Sequence, residues 1–260
     1  MTTIVSGCHP AGYVEYGRNF LTSFAEFWPR DIALHFFMED LAPLRDLPGT
    51  FERRERVTFS SVFSCPGLQE FIDRHKNTPE RCGRAPNERW KQRQFADGYN
   101  YRFDAVRFVK QLFYPESAAM RLQDGEILSW FDADVVTLKP VPAGFIEKLL
   151  GDADLVYLGR EPKHTELGFW AVRLNPKTRH FLTALADEYR SDEVFSLPEW
   201  HSAYVFDTVR KTFFGTSHPK MKSLTPGGRG HVWHQCALGD YSDHLKGGRK
   251  ALGRSPEARR

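Results

Sequence analysis

Ile127-Leu128-Ser129-Trp130-Phe131-Asp132-Ala133-Asp134-Val135-Val136 is an apolar run that ends in two carboxylates separated by one small residue. The run predicts a short strand over Ile127–Phe131 that delivers Asp132 and Asp134 at its carboxyl end. In an open α/β sheet, ligands bind beyond the carboxyl ends of the strands, so these acids stand where a site belongs. Burying two like charges this close together is costly unless a cation neutralises them. Hard oxygen ligands with open positions suit Mn²⁺ or Mg²⁺ bound to phosphates, and Asp132-Ala133-Asp134 is read as such a group. The plainer alternative is a turn carrying two solvated acids.

Outward from this strand, the pattern alternates. Towards the N-terminus, Thr3–Ser6 reads as a strand ending in Gly7, Val14–Trp28 as a helix, and Ile32–Met38 and Val57–Phe59 as strands. Leu68–His75 reads as a helix opened by Pro66-Gly67, and the polar stretch Lys76–Asp97, with Pro79, Gly83 and Pro86, as a mobile surface loop. A helix carrying Phe103, Val106, Val109, Lys110 and Phe113 leads into the acidic strand. Beyond it come a helix over Phe145–Leu150, strands over Leu155–Leu158 and Phe169–Leu174, and a helix over Pro176–Tyr189 capped by Asn175 with Pro176 in its first position. Trp200–Phe213 reads as a further helix. The order predicts an α/β, Rossmann-like, doubly wound fold with a mostly parallel central sheet. Residues 1–246 are expected to form one domain, and 247–260 a basic, flexible C-terminal tail.

A second element lies near the end of the chain: His244-Leu245-Lys246-Gly247-Gly248-Arg249-Lys250, a His-x-x-Gly-x-x-Lys pattern. An imidazole can complete a metal shell, glycines let backbone approach a phosphate, and a lysine offsets diphosphate charge. Together with the Asp-x-Asp, this resembles the glycosyltransferase A-type fold of the nucleotide-diphospho-sugar transferases, in particular the retaining family of glycogenin and the lipopolysaccharide galactosyltransferases. The resemblance implies a metal-dependent glycosyltransferase with a nucleotide-sugar donor, foremost a UDP-sugar, and a glycan, lipid-linked or protein acceptor. It implies Asp132, Asp134 and His244 as ligands of Mn²⁺ or Mg²⁺, with Gly247 and Lys250 at the diphosphate. Ile4-Val5-Ser6-Gly7-Cys8 looks like the first strand with its nucleotide-contacting loop, which carries Ser6, Gly7 and Cys8. Asp104-Ala105-Val106-Arg107-Phe108 looks like the donor-binding helix, with Arg107 as a sugar or pyrophosphate contact. Two departures stand out: Ala251 follows the motif's lysine where that family has Pro, and Glu166-Leu167-Gly168-Phe169-Trp170 replaces an Asn-Ser-Gly run.

Glu166, and Glu199 with His201 beside Trp200, are candidate catalytic residues for handling the acceptor. A carboxylate near an anomeric carbon acts as a base in an inverting reaction or stabilises positive charge in a retaining one. Trp200 is a candidate for stacking on a sugar face. Each of these is equally well read as a helix cap or a core aromatic. His231 and His234 lack an evident third ligand and read as structural, and Gly227-Gly228-Arg229-Gly230 reads as a hinge, because the Lys-Ser/Thr of a phosphate-binding loop is missing. Two rival functions remain. One is a haloacid-dehalogenase-type phosphatase with Asp132 as nucleophile and Gly239-Asp240-Tyr241-Ser242-Asp243 as its late acidic motif. The other is a non-catalytic sugar- or nucleotide-binding module.

The 36 basic and 33 acidic residues are well mixed, and a net charge of +3 gives no footprint for nucleic acid. Cys8, Cys65, Cys82 and Cys236 form no CxxC pair, which predicts free thiols. With no signal-like N-terminus and no apolar stretch of membrane-spanning length, the expectation is cytoplasmic residence.

Overall fold

The computed structural model describes residues 1–42, 56–85, 98–215, 218–226 and 230–256. Its strands are β1 Thr2–Cys8, β2 Ile32–Met38, β3 Val57–Ser61, β4 Ile127–Phe131, β5 Val135–Thr137, β6 Leu155–Leu158, β7 Glu166–Arg173, β8 Met221–Ser223 and β9 Ser242–His244. The helices are α1 Pro10–Gly12, α2 Arg18–Phe27, α3 Leu68–His75, α4 Ala105–Phe108, α5 Lys110–Ala119, α6 Phe145–Leu150, α7 Pro176–Arg190, α8 Ser202–Phe214 and α9 Arg249–Leu252. Of the loop expected over Lys76–Asp97, residues 86–97 lie outside the described residues and Pro79–Arg81 form a 3-10 turn; of the hinge expected over Gly227–Gly230, Gly227, Gly228 and Arg229 lie outside them.

Among the described residues, one sheet has the order β3-β2-β1-β4-β7-β6-β8, and β5 pairs with β9 separately. Strands β3, β2, β1 and β4 run parallel, while β7 runs antiparallel to both its neighbours, β4 and β6. The expected α/β class and mostly parallel sheet are what the chain adopts. From β1 the chain builds outward through β2 and β3 and then returns to place β4 on the other side of β1. That reversal is the topological switch point, where the connections diverge and leave a crevice.

Alternation along the strands feeds two apolar layers. Val5, Phe37, Leu128 and Trp130 face a layer with Leu112 and Phe113 of α5, Phe181 of α7 and Phe206 of α8. Ile4, Phe36, Phe131 and Phe169 face the other, with Phe20 and Phe24 of α2 and Ile146 of α6. Each such side chain, removed from water, contributes about 1.5–3 kcal/mol. Asn175 and Thr178 form a reciprocal capping box that starts α7 at Pro176.

Several local expectations change. The helix expected over Val14–Trp28 begins as a π turn over Tyr13–Gly17, where Gly17 packs so closely on Cys8 Sγ that an added Cβ would lie 2.8 Å from it. The single helix expected around Phe103–Phe113 is divided, because the Asp104 side chain accepts from the Arg107 N–H and starts α4 separately from α5. Trp200 precedes α8 instead of opening it: its N–H donates to the Arg102 carbonyl at 2.7 Å, and its ring packs edge-on against Phe103 and Phe195. It is a core residue, 6% exposed, and does not line the cleft described below.

Candidate active site

The carboxyl ends of β1 and β4 open into a cleft of about 610 Å³. Asp132 and Asp134 enter it directly from β4. The Asp132 N–H donates to the Gly168 carbonyl at 3.0 Å, which ties the end of β4 to the start of antiparallel β7 and brings Glu166 into the same place. His244 arrives from the far end of the chain because β9 pairs with β5, Val135 opposite His244. The Leu245 N–H donates to the Asp134 carbonyl at 3.0 Å and fixes that register.

The donor atoms of Asp132, Asp134 and His244 converge. His244 Nε2 is 3.0 Å from Asp134 Oδ1 and 3.6 Å from Asp132 Oδ2. One ligand atom from each of the three residues lies within 4.8 Å of the others. Asp134 Oδ1 and both His244 ring nitrogens are buried without a hydrogen-bond partner. Asp134 Oδ1 and His244 Nε2 face each other at 3.0 Å without forming a well-aligned hydrogen bond, and converging ligand-type atoms held in this way fit a coordinated cation. Two carboxylates with one imidazole suit Mn²⁺, and less closely Mg²⁺. Asp132 is also oriented from behind: Trp130 Nε1 and Gln111 Nε2 donate to its Oδ1 at 2.9 and 3.2 Å, and the Ser202 hydroxyl in turn donates to Gln111 Oε1.

Charge balance in the bare site follows from the same contacts. Burial opposes a charged His244, yet Asp134, Asp132 and Glu166 lift its pKa to about 10. Burial also works against an ionised Asp134, but His244 and Lys250 hold it below the usual carboxylate range, while burial raises Asp132. Lys250 Nζ is 3.1 Å from Asp134 Oδ2 and 4.0 Å from the centre of the Tyr16 ring. Residues 247–256, expected as part of a flexible tail, include the helical turn α9, and Ser255 is buried with its N–H on Asp243 Oδ2.

Of the sequence-predicted site residues, Gly7, Cys8, Arg107, Asp132, Ala133, Asp134, Glu166, His201, His244, Gly247 and Lys250 all line the cleft. Ser6 is fully buried and does not. Gly7 is needed for space, since a Cβ there would lie 2.7 Å from both the Phe37 carbonyl and the Tyr114 ring. The Cys8 thiol, pushed up to about 12 by burial, is neutral. Arg107 Nη1 donates to the Tyr99 hydroxyl at 3.2 Å. Glu199 stands behind the cleft wall, 2.9 Å from His201 Nε2 and 3.0 Å from Arg102. Glu166 is clamped by Lys246 at 2.8 Å and Arg160 at 2.7 Å; burial would raise its pKa, but these cations with His244 bring it down to about 2.

Lys246, Arg160, His164 and Gln111 also line the cleft and were not singled out from sequence. Lys246 sits inside the His-x-x-Gly-x-x-Lys element, and Gln111 is four residues beyond Arg107 on an expected helix, so both had a signal in their spacing. Arg160 and His164 sit on a connection with none. The four cysteines are free. The phosphatase reading is not favoured: Asp243 is fully buried on β9, bonded to His234 Nε2 at 3.0 Å, and does not line the cleft with Asp132. That contact also makes His234 structural.

No helix among the described residues is long and apolar enough to cross a membrane. The sequence matches no protein-family model and no curated protein. Among solved structures, the chain is similar to mouse xyloside xylosyltransferase 1 in its apo form, at 14% identity and a TM-score of 0.44 over 86% of each chain. It is similar to the galactosyltransferase LgtC in complex with donor and acceptor sugar analogues, at 12% identity and a TM-score of 0.43 over 86% of this chain and 73% of that one. It is similar to the apo form of the glycosyltransferase GlyE of Streptococcus pneumoniae TIGR4, at 11% identity and a TM-score of 0.50, over 86% of this chain and 44% of the GlyE chain. The chain spans less than half of GlyE, and within that span it has the fold of an A-type glycosyltransferase.

Proposed function

We propose that the chain is a metal-dependent glycosyltransferase that moves a sugar from a nucleoside-diphosphate donor, foremost a UDP-sugar, to a glycan, lipid-linked or protein acceptor. The observation that carries this reading is the convergence of Asp132, Asp134 and His244 at the switch point of an A-type glycosyltransferase sheet. Mn²⁺ or Mg²⁺ held by those three residues would supply a Lewis acid that offsets the charge of the leaving nucleoside diphosphate. Lys250, already beside Asp134, and Arg107 share that charge from the protein side. Gly247, where a Cβ would meet nothing within 4 Å, leaves space for the donor to approach the backbone.

Glu166, which lines the cleft beside His244, is the carboxylate we assign to the reacting sugar, where an ionised group clamped by Lys246 and Arg160 would stabilise a developing oxocarbenium-like centre, in keeping with retention. Glu199 and His201 orient the acceptor side. The free thiols support cytoplasmic residence.

The test is a panel of nucleotide-sugars incubated with EDTA-treated protein, with and without Mn²⁺. Release of nucleoside diphosphate from one donor, dependent on Mn²⁺, is expected. No metal-stimulated release from any donor would refute the assignment, and metal-dependent binding without turnover would leave a binding module instead.

A further inference from the structure

We propose that His164, Glu199 and His201 form a second divalent-metal site in the wall of the cleft, one suited to Zn²⁺ and distinct from the Asp132 group. The residues come from two pieces of chain: His164 from the connection into β7, and Glu199 and His201 from the segment that leads into and caps α8. This inference does not depend on the sugar-transfer reading.

The geometry is that of a ligand set. Glu199 Oε2 is 2.9 Å from His201 Nε2 and 3.5 Å from His164 Nε2, and one ligand atom from each residue lies within 4.8 Å of the others. Tetrahedral zinc bonded at about 2.0–2.1 Å separates its ligand atoms by about 3.3 Å, close to the two distances from Glu199 Oε2. The protein also holds these side chains from behind. His164 Nδ1 faces Asp207 Oδ2 at 3.8 Å, and Asp207 is fixed by the Thr165 N–H at 2.9 Å, the Thr165 hydroxyl at 2.6 Å and Arg210 at 3.0 Å. At 3.8 Å Asp207 acts on His164 as a nearby negative charge on its Nδ1 side, with Nε2 turned towards Glu199. Arg102 engages Glu199 through Oε1, which leaves Oε2 for the ion.

Ligand chemistry separates the two groups. Two imidazoles with one carboxylate are softer than two carboxylates with one imidazole, so Zn²⁺, Ni²⁺ or Co²⁺ prefers the former and Mn²⁺ or Mg²⁺ is better served by the latter. Because His164 and His201 line the cleft, the fourth position of the ion faces it, and a hydroxyl or anionic group of a bound molecule can take it up.

The test loads the full chain with half an equivalent of Zn²⁺ in excess Mg²⁺ and reads the zinc-edge X-ray absorption. Two imidazoles per zinc are expected; one imidazole places the ion with Asp132, Asp134 and His244 and overturns the proposal, as does failure to bind zinc. Equilibrium dialysis of His164→Ala and Asp134→Asn, each checked for native near-UV circular dichroism, gives the second reading. Zinc affinity at least tenfold weaker in His164→Ala and unchanged in Asp134→Asn is expected. The reverse pattern, or no change in His164→Ala, overturns it.

Discussion

Gly168→Ala should detach His244 from the acidic pair without replacing any ligand. A Cβ built on Gly168 lies 2.6 Å from both Cε1 and Nδ1 of His244. Carbon atoms pack best about 3.5–4.0 Å apart, so the ring must move by about 1 Å. It has little room to do so: His244 is fully buried, with the Trp233 and His231 rings centred 5.3 and 5.8 Å away. Metal–ligand distances tolerate only about 0.2 Å, so a shift of this size breaks the His244 contact. Gly168 does not adopt a positive φ, which leaves steric displacement as the whole effect. Mn²⁺ affinity should fall about 10–100-fold, the loss usual when a ligand's orientation is disturbed. The assay is the signal of free Mn²⁺ in an electron paramagnetic resonance titration, with Gly248→Ala as control, since a Cβ there meets nothing within 4 Å. Wild-type affinity in a folded Gly168→Ala protein would refute the reasoning.

Lys250→Ala removes the cation that lies 3.1 Å from Asp134 and should weaken nucleoside-diphosphate binding about tenfold, ~1.4 kcal/mol, in calorimetry, with partial recovery in Lys250→Arg; unchanged affinity counts against its role. Gly7→Ala overpacks β1 against the Phe37 carbonyl and the Tyr114 ring, and should cost about 1–3 kcal/mol in urea unfolding. His35 is one source of acid sensitivity in the core. Burial, helped by Arg121, lowers its pKa from 6.5 to about 4, so the unfolded chain binds the extra proton first. Its contribution is complete above pH 6.5 and is lost as the pH falls towards 4, by about 3 kcal/mol in all. Stability measured across that range should flatten in His35→Gln, and an unaltered slope would contradict the assignment.

How much of this was legible in the sequence depended on the reach of each signal. The run Ile127–Phe131 is buried at every position, and a continuous apolar stretch ending in acids announces such a strand. Asn175-Pro176 marked the start of α7 because capping chemistry is local. Strands β5, β8 and β9 have three residues each, too few for any period to show, so the pairing that carries His244 to Asp134 was hidden even though the residue itself was not. Glu166 was visible as a carboxylate, but its clamp by Arg160 and Lys246 depends on the antiparallel register of β7. Trp200 illustrates the limit of composition, since an aromatic beside two polar residues reads alike in a core and in a sugar site.

The central claim is that Asp132, Asp134 and His244 hold a divalent ion that binds a nucleoside diphosphate in this cleft. Calorimetric titration of UDP, GDP, ADP and CDP into EDTA-treated protein, with and without Mn²⁺, measures it most directly. Binding of one nucleoside diphosphate, UDP foremost, that requires Mn²⁺ and is lost in Asp134→Asn is expected. Equal binding with and without the metal, or none of any of the four, would contradict it.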